Sequence, residues 1–423
     1  MRPDPIPHHP HLCHRWPRSA ARNAVPGRPA DLGFRHVTHA EPDVEALAQV
    51  SSLDAAGTGA LVQRMVAAST SPSTRRAYAL DWARFARWCN AQGIPPLTAA
   101  DQDVAGYLAQ AAATVRPDGK PAVATATLRR WLSGINQVHA AAGGGVPGRS
   151  ELVRRTLAGI SKTSRTGPNR RRPLRLTELR DLVGAARAAA VSWPEQIRAR
   201  RDALILLMGH LGGMRESELV ALTVGDVQRV GPDLHVTVRA GKTDPDARGL
   251  VKGLRATTAA DVCPLCAWTA WRQILHAHDH GGRPAVIRAL ADHPISDRHI
   301  CTDTPSPTAA DPRTAADSPG DVDLDAPLIR WLGRHGWITD RPVAPHSIYQ
   351  VVKTRARQAG LPAEVVNKLG GHSLRAGFVT DAFAAGAPDG EVMRQTGHRS
   401  ITQVRAYQRD TPLVGNAVNR IDL

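Results

Sequence analysis

The sequence predicts a mainly α-helical protein with a small antiparallel β-sheet in its C-terminal half, an α+β fold. Apolar residues recur at helical spacing over most of the chain from residue 73 onward. Residues 234–238 (LHVTV) alternate instead as a strand does, and the strand pattern resumes at residues 250–254 after a turn rich in Gly, Asp and Pro. We therefore expect helices to form most of the fold and one hairpin to form its sheet.

A change of composition near residue 165 predicts two domains. The chain of 423 residues is long enough for two cores, and residues 165–175 (RTGPNRRRPLR) combine residues that break regular structure with residues that attract phosphate. Before this junction, four amphipathic helices with basic faces are expected. The predicted order is a helical domain at 51–165, a basic linker at 166–175 and a second domain at 176–423.

Two segments lack the pattern of a packed core. Residues 1–50 are rich in Pro, Arg and His, which predicts a disordered extension. Between residues 302 and 327 the composition falls to Asp, Pro, Ala, Thr and Ser, so we expect a flexible surface insertion there.

The charge of the chain favours a polyanionic partner. The formal net charge is +16 and the pI is about 10.6, and only six of the 54 basic residues are Lys. Arg pairs bidentately with phosphate oxygens and stays charged at any working pH. A GC-rich gene would also raise the Arg content, so composition favours a nucleic-acid partner but does not establish one.

Cysteine content and hydropathy indicate a soluble protein of the cytoplasm. The five cysteines are scattered and odd in number, unlike the disulfide framework of a secreted domain. No apolar run approaches the roughly 18 residues of a membrane span, and the N-terminus lacks the apolar core of a signal peptide. No membrane partner is expected.

Two local motifs suggest other chemistry and are not favoured. Residues 143–150 (GGGVPGRS) resemble a phosphate loop, but Arg149 stands where Lys is needed and no strand precedes them. Cys263 and Cys266 (CPLC), with His276 and His280, offer zinc-ligand types, although the middle of nine residues is short for a finger. The preferred interpretation is a buried thiol pair at a helix start, with no metal and no cofactor.

Three segments of the C-terminal half carry the residues that DNA cleavage without a metal requires: a nucleophile, positive groups for the phosphate, a base and an acid. The first is GMRESELVAL around Arg215. The second, GHSLRAGFVT, places His372 and Arg375 three residues apart, on one face of a helix. In the third, TGHRSITQVRAYQR, His398 precedes Tyr407 by nine residues.

Together these segments resemble the tyrosine recombinase family, which includes phage integrases, Xer-type resolvases and Cre. The family has an Arg in a G-x-R-x-S-E-L helix, a His-x-x-Arg pair, a His or Trp in a G-H box, a Tyr nine residues later and a Lys in a β-hairpin turn. Carried over to this sequence, the catalytic residues are Arg215, Lys242, His372, Arg375, His398 and Tyr407. The resemblance covers most of residues 55–423 and implies that the N-terminal helices form a four-helix, SAM-like core-binding domain.

The resemblance implies a site-specific recombinase or integrase. Tyr407 would attack a backbone phosphate and form a 3′-phosphotyrosyl link, with no metal or cofactor. Arg215 and Arg375 would hold the phosphate, His372 would handle the proton of the tyrosine, and His398 would donate a further hydrogen bond to the phosphate.

Lys242, in the turn AGKTD, would be the general acid. Lys252 on the next strand is its rival, although a Lys within a strand more often faces solvent. The expected partners are double-stranded DNA and three further copies, forming a homo-tetramer on two duplexes of a bacterial nucleoid. The alternatives are DNA relaxation of the topoisomerase IB kind and a non-catalytic DNA-binding protein on a recombinase fold.

Overall fold

The computed structural model describes residues 55–164, 171–239, 249–302, 323–405 and 407. The predicted extension at 1–50 and Lys242 lie outside the described residues. The chain divides into two compact units, Met1–Thr70 and Ser71–Leu423. In the first unit the structure describes helix α1, Ala55–Ala68.

The N-terminal part of the second unit is helical. Its helices are α2 (Pro72–Ala91), α3 (Asp101–Ala113), α4 (Thr125–Ala141) and α5 (Glu151–Thr163). Serine hydroxyls cap two of them, because Ser71 Oγ accepts from the Thr74 N–H and Ser150 Oγ from the Val153 N–H. Buried apolar side chains, among them Phe85, join these helices in one cluster. That these helices form a core-binding domain stays a prediction.

In the remainder of the second unit, the described residues form further helices and five strands. The helices are α6 (Leu176–Ala188), α7 (Trp193–Leu211), α8 (Glu216–Val220), α9 (Pro264–Asp292), α10 (Pro345–Gln358), α11 (Ala363–Lys368), α12 (Gly371–Ala384), α13 (Asp389–Thr396) and α14 (Ile401–Arg405). The strands are β1 (Val227–Val230), β2 (Asp233–Val238), β3 (Leu250–Arg255), β4 (Arg330–Leu332) and β5 (Ile338–Pro342). Buried apolar side chains between Leu174 and Leu374 form a separate and larger cluster.

The predicted fold class is confirmed. Strands β1, β2 and β3 form an antiparallel sheet in that order, and β2 pairs with β3 in a register that places Val236 opposite Lys252. Leu234, Val236 and Val238 of β2 are buried, as their alternation predicts. The two-stranded sheet of β4 and β5 was not predicted.

Helix α7 lies at the centre of the larger cluster. Most of its residues from Ile197 to His210 are buried, since the apolar run at 203–208 leaves no polar face there. Helices α6, α9 and α12 pack against it. At Gly209 the α12 contact is close, because a Cβ there would lie 2.6 Å from Leu374 Cδ1. This contact positions α12, which carries two of the predicted catalytic residues.

The described end of the basic linker, residues 171–175, contacts α11 and α12. The Arg172 N–H donates to Lys368 O at 3.1 Å and the Leu174 N–H donates to Ser373 O at 3.0 Å. A Cβ at Gly377 would lie 1.8 Å from Leu174 O, so only glycine permits this approach. Residues 171–175, which we call the linker strap, are therefore held against α12.

The predicted insertion at 302–327 is described only at its ends. The N–H groups of Gly225 and Val224 donate to Leu324 O and Ala326 O at 2.8 and 2.9 Å, so residues 323–327 are hydrogen-bonded to the turn before β1. Residues 303–322 lie outside the described residues. Among the described helices, none combines the length and the apolar character that crossing a membrane requires.

Candidate active site

His372 and Tyr407 are in direct contact. His372 lies in the first turn of α12, and Tyr407 is half-buried just beyond α14. The His372 Nε2 atom is 2.7 Å from Tyr407 Oη. Partial loss of solvent and the positive charges of Arg375 and Arg215 lower the pKa of His372 below its ordinary 6.5. A neutral His372 can therefore accept the phenolic proton through Nε2.

Arg375 is buried beside this pair and bridges three chain segments. Its Nη1 donates to Gly213 O at 2.7 Å and to Thr396 O at 2.5 Å, and its Nη2 donates to His398 Nε2 at 2.9 Å. Burial, together with the charge of Arg215, lowers the pKa of Arg375 to about 10. The side chain therefore remains a cation near neutral pH, and its hydrogen bonds hold the guanidinium in place.

The hydrogen bonds of His398 define its tautomer. Its Nδ1 is 2.7 Å from Thr396 Oγ1, and that hydroxyl donates to Val392 O at 2.5 Å. Because the single hydroxyl proton is used on Val392, His398 Nδ1 must donate and Nε2 must accept from Arg375. Burial and the charge of Arg375 lower the pKa of His398 to about 3. In this arrangement His398 Nε2 has no proton to donate.

Arg215 precedes α8 and is held by Glu218. The Arg215 N–H donates to Glu218 Oε2 at 3.0 Å, and Arg215 Nη1 donates to Glu218 Oε1. Burial would raise the pKa of Glu218, but the charge of Lys252 and the hydrogen bonds from Arg215 lower it. Arg215 is partly exposed, and its charge acts on His372, Arg375 and His398.

Lys252 is a buried member of this site that sequence reasoning misjudged. Its side chain is fully buried, and Nζ donates to Gly212 O at 3.0 Å and to Gln395 O at 2.8 Å. The expectation that it faces solvent is wrong, because alternation along β3 places it on the same inward face as Leu254. Burial lowers its pKa to about 8, although Glu218 opposes the shift.

Five of the six predicted catalytic residues thus lie in one site within the described part of the chain, namely Arg215, His372, Arg375, His398 and Tyr407. Strand β2 ends at Val238 and β3 begins at Leu250, so the sixth, Lys242, belongs to the connection between them. Sequence reasoning did not identify Thr396, whose side chain positions His398 and whose carbonyl holds Arg375. Its place two residues before His398 was the available signal.

The site offers a tyrosine hydroxyl, a neutral histidine acceptor and two arginines. The hydroxyl can act as a nucleophile once His372 removes its proton. Arginine forks can stabilise the negative charge of a phosphoryl group in its transition state.

The two predicted thiols are buried at the start of α9, as expected. His276 and His280, the histidines that the sequence offered with them, are exposed and stack on each other with ring centroids 4.1 Å apart. The groups within reach of Cys263 and Cys266 are instead His299 and Cys301.

No protein-family profile matches the chain. An integrase/recombinase XerD homolog of Selenomonas ruminantium is 22% identical over 363 residues, which cover 85% of this chain and 88% of that protein. The three motif segments and this relative agree on one family.

Several solved structures are similar to this chain at low identity. The XerH recombinase in its post-cleavage complex with a palindromic difH substrate is 15% identical, with a TM-score of 0.47, and 77% of this chain and 72% of that chain are covered. A Tn1549 transposon integrase in complex with transposon right end DNA is 15% identical, with a TM-score of 0.45. The match covers 79% of this chain and 94% of that chain. A lambda integrase dimer bound to a COC′ core site is 14% identical, with a TM-score of 0.43. The match covers 90% of this chain and 84% of that chain.

Proposed function

Because this chain is a tyrosine recombinase, we propose that it cleaves and rejoins DNA at specific sites through a covalent intermediate on Tyr407. The contact between His372 Nε2 and Tyr407 Oη at 2.7 Å carries the proposal. A neutral histidine at this distance can take the phenolic proton as the oxygen attacks phosphorus. The products of attack are a 3′-phosphotyrosyl link and a free 5′-hydroxyl, and a hydroxyl of another strand reverses the reaction.

Arg375 and Arg215 hold the scissile phosphate in this proposal. Arg375 is fixed by two backbone carbonyls, and these contacts can hold it while its other N–H groups bind a non-bridging oxygen. Arg215 is partly exposed and is held by Glu218. Two fixed cations are worth several kcal/mol to a phosphoryl transition state in a water-poor site.

The motif implies that His398 donates a hydrogen bond to the phosphate, but in the described arrangement its Nε2 carries no proton. It accepts from Arg375 through Nε2 in the described arrangement. For His398 to donate to the phosphate, Arg375 must release Nε2 and that nitrogen must gain a proton. We therefore assign His398 first to positioning Arg375, and the hydrogen bond to phosphate to the DNA-bound state.

Lys242 is the proposed general acid for the departing 5′-oxygen. It falls in the connection between β2 and β3, and a basic side chain in such a hairpin connection can enter a DNA groove. Lys252 is a weaker candidate, because its ammonium group already donates to two carbonyls and lies 3.5 Å from Glu218. We assign Lys252 to positioning.

The proposed partner is double-stranded DNA, on which four copies join two duplexes without a metal or cofactor in the reaction. The net charge of +16 and the Arg-rich composition support a DNA partner. The Tn1549 integrase is in complex with transposon right end DNA, XerH is bound to a difH substrate and lambda integrase is bound to a COC′ core site. We place the protein at the bacterial nucleoid, with a mobile element as one source of its target sites. Sedimentation with one and with two duplexes would count the copies in a synapse.

The proposal is tested with a nicked duplex that traps the covalent intermediate. The unmodified chain should form a protein–DNA adduct that resists denaturant, and Tyr407→Phe should bind the same DNA without forming it. A non-catalytic DNA-binding protein would form no adduct with either. A topoisomerase would relax supercoiled plasmid and give no exchange between two target sites, so a recombination assay separates that alternative.

A further inference from the structure

Four side chains with metal-binding atoms converge beside the start of α9, outside the proposed active site. Their ligand atoms all lie within 4.8 Å of one another. We propose that Cys263, Cys266, His299 and Cys301 bind one Zn²⁺ ion in a closed structural site.

The distances between the ligand atoms fit a tetrahedral zinc ion. Cys263 Sγ is 3.9 Å from Cys301 Sγ. The His299 Nδ1 atom is 3.4 Å from Cys266 Sγ and 3.6 Å from Cys301 Sγ. Ordinary Zn–S and Zn–N bonds at tetrahedral angles separate two sulfurs by about 3.8 Å and a sulfur from a nitrogen by about 3.6 Å. The cluster therefore needs little movement to accept the ion.

The ring of His299 is oriented for a metal. Its Nε2 is 3.2 Å from Thr258 O, and a carbonyl can only accept, so Nε2 carries the ring proton. Nδ1 is then left with its lone pair, on the side that faces the sulfurs of Cys266 and Cys301. Histidine ligands of zinc commonly have such an acceptor on their other nitrogen.

The cysteines are placed by the turn that opens α9. Cys263 is the N-cap residue of α9 and Cys266 lies in its first turn, and their sulfurs lie within 4.8 Å of each other. Backbone N–H groups at a helix N-terminus stabilise a thiolate ligand, as does a bound cation.

Burial indicates a structural rather than a catalytic ion. Cys263, Cys266 and Cys301 are 0%, 6% and 3% exposed. Four protein ligands leave no position for water or substrate. The ion would fasten the start of α9 to residues 299–301, which follow the end of that helix. A Cys263–Cys301 disulfide is the competing use of these thiols, but their sulfurs lie well beyond the bond length of about 2.05 Å.

The test is the metal content of the full chain, purified under reducing conditions and treated with a chelating resin. We expect about one zinc per chain by mass spectrometry of the metal. Replacement by Co²⁺ should produce the thiolate-to-cobalt charge-transfer absorption of a sulfur-rich tetrahedral site. Cys301→Ser should lose most of the zinc, and His299→Ala should do the same.

The matched control is the double variant His276→Ala/His280→Ala, which removes the two histidines that the sequence pairs with the CPLC turn. It should keep its zinc. Loss of zinc from this control would overturn the proposed ligand set, as would zinc that persists in Cys301→Ser. If Cys301→Ser fails to fold, the Co²⁺ spectrum of the unmodified chain decides. Absence of zinc together with absence of a thiolate band, or a disulfide between these cysteines, would overturn the site itself.

Discussion

Lys252 Nζ lies 3.5 Å from Glu218 Oε2, and the two side chains are 0% and 8% exposed. Glu218 in turn holds both the backbone and the side chain of Arg215. Lys252 also ties the end of α7 to the end of α13 through two carbonyls. A buried cation on β3 therefore supports the segment that presents Arg215.

Replacing this cation should destabilise the fold strongly. Lys252→Met removes one of the two cations beside Glu218 and leaves the Gly212 and Gln395 carbonyls without their buried donor, which should cost roughly 1 to 3 kcal/mol or more. Urea unfolding of the full chain measures the change. The control is Lys368→Met at an exposed position, which should change the free energy of unfolding by less than about 0.5 kcal/mol. Equal stability of the two variants would contradict the role assigned to Lys252.

Lys242 should behave as an acid rather than as a support. Lys242→Ala should slow cleavage of normal DNA by roughly 10²- to 10⁴-fold, because the 5′-oxygen then leaves without a proton. A substrate with sulfur at that bridging position needs no acid, so the variant should cleave it almost as fast as the unmodified chain does. A defect that persists on the sulfur substrate would show that Lys242 is not the acid.

Covalent complex formation should depend on pH through His372. Partial loss of solvent and neighbouring cations lower the pKa of His372 below 6.5, so the ring is neutral at pH 7 and becomes protonated only in more acidic solution. The rate of covalent complex formation should be level near neutral pH. It should fall as the pH decreases below 6.5, the ordinary pKa of histidine. His372→Asn should reduce the rate by roughly 10²- to 10⁴-fold and remove this dependence. A profile that is the same in both proteins would exclude His372 as the base.

His398 should contribute a pH dependence to stability. Its pKa in the fold is about 3, against an ordinary 6.5, so below pH 6.5 the unfolded chain binds a proton that the folded chain does not. The free energy of unfolding should therefore decrease as the pH falls from 6.5 towards 3. His398→Asn should weaken this slope, whereas His335→Asn at an exposed site should leave it unchanged. The same slope in both variants would contradict the buried, neutral state of His398.

The close approach of the linker strap to α12 predicts a glycine requirement. Gly377→Ala would drive a Cβ into Leu174 O, and the repacking should cost roughly 1 to 3 kcal/mol or more. Gly184→Ala on α6, where nothing lies within 4 Å of the added Cβ, should instead stabilise by up to about 1 kcal/mol. Thermal unfolding compares the two, and a stabilising Gly377→Ala would contradict the described contact.

Sequence patterns predicted what depends on local spacing. The helical periodicity and the alternation in β2 indicated the fold class, and the His372 and Arg375 pair could be placed on one helix face from their spacing alone. Long-range packing was not predictable from spacing. The burial of Lys252 depends on which face of β3 meets α7 and α13, and the approach of His299 and Cys301 to Cys263 spans more than 30 residues of chain. The tautomer of His398 likewise required the direction of the Thr396 hydroxyl.

The identity of the residue that carries the DNA tests the proposed mechanism most directly. The chain has four tyrosines, of which Tyr407 is the one in contact with His372. A covalent complex trapped on a nicked target duplex, digested with nuclease and protease, can be mapped by mass spectrometry. We predict a nucleotide 3′-phosphate attached to the peptide that contains Tyr407. A nucleotide attached through its phosphate to Tyr78, Tyr107, Tyr349 or any serine would contradict the mechanism.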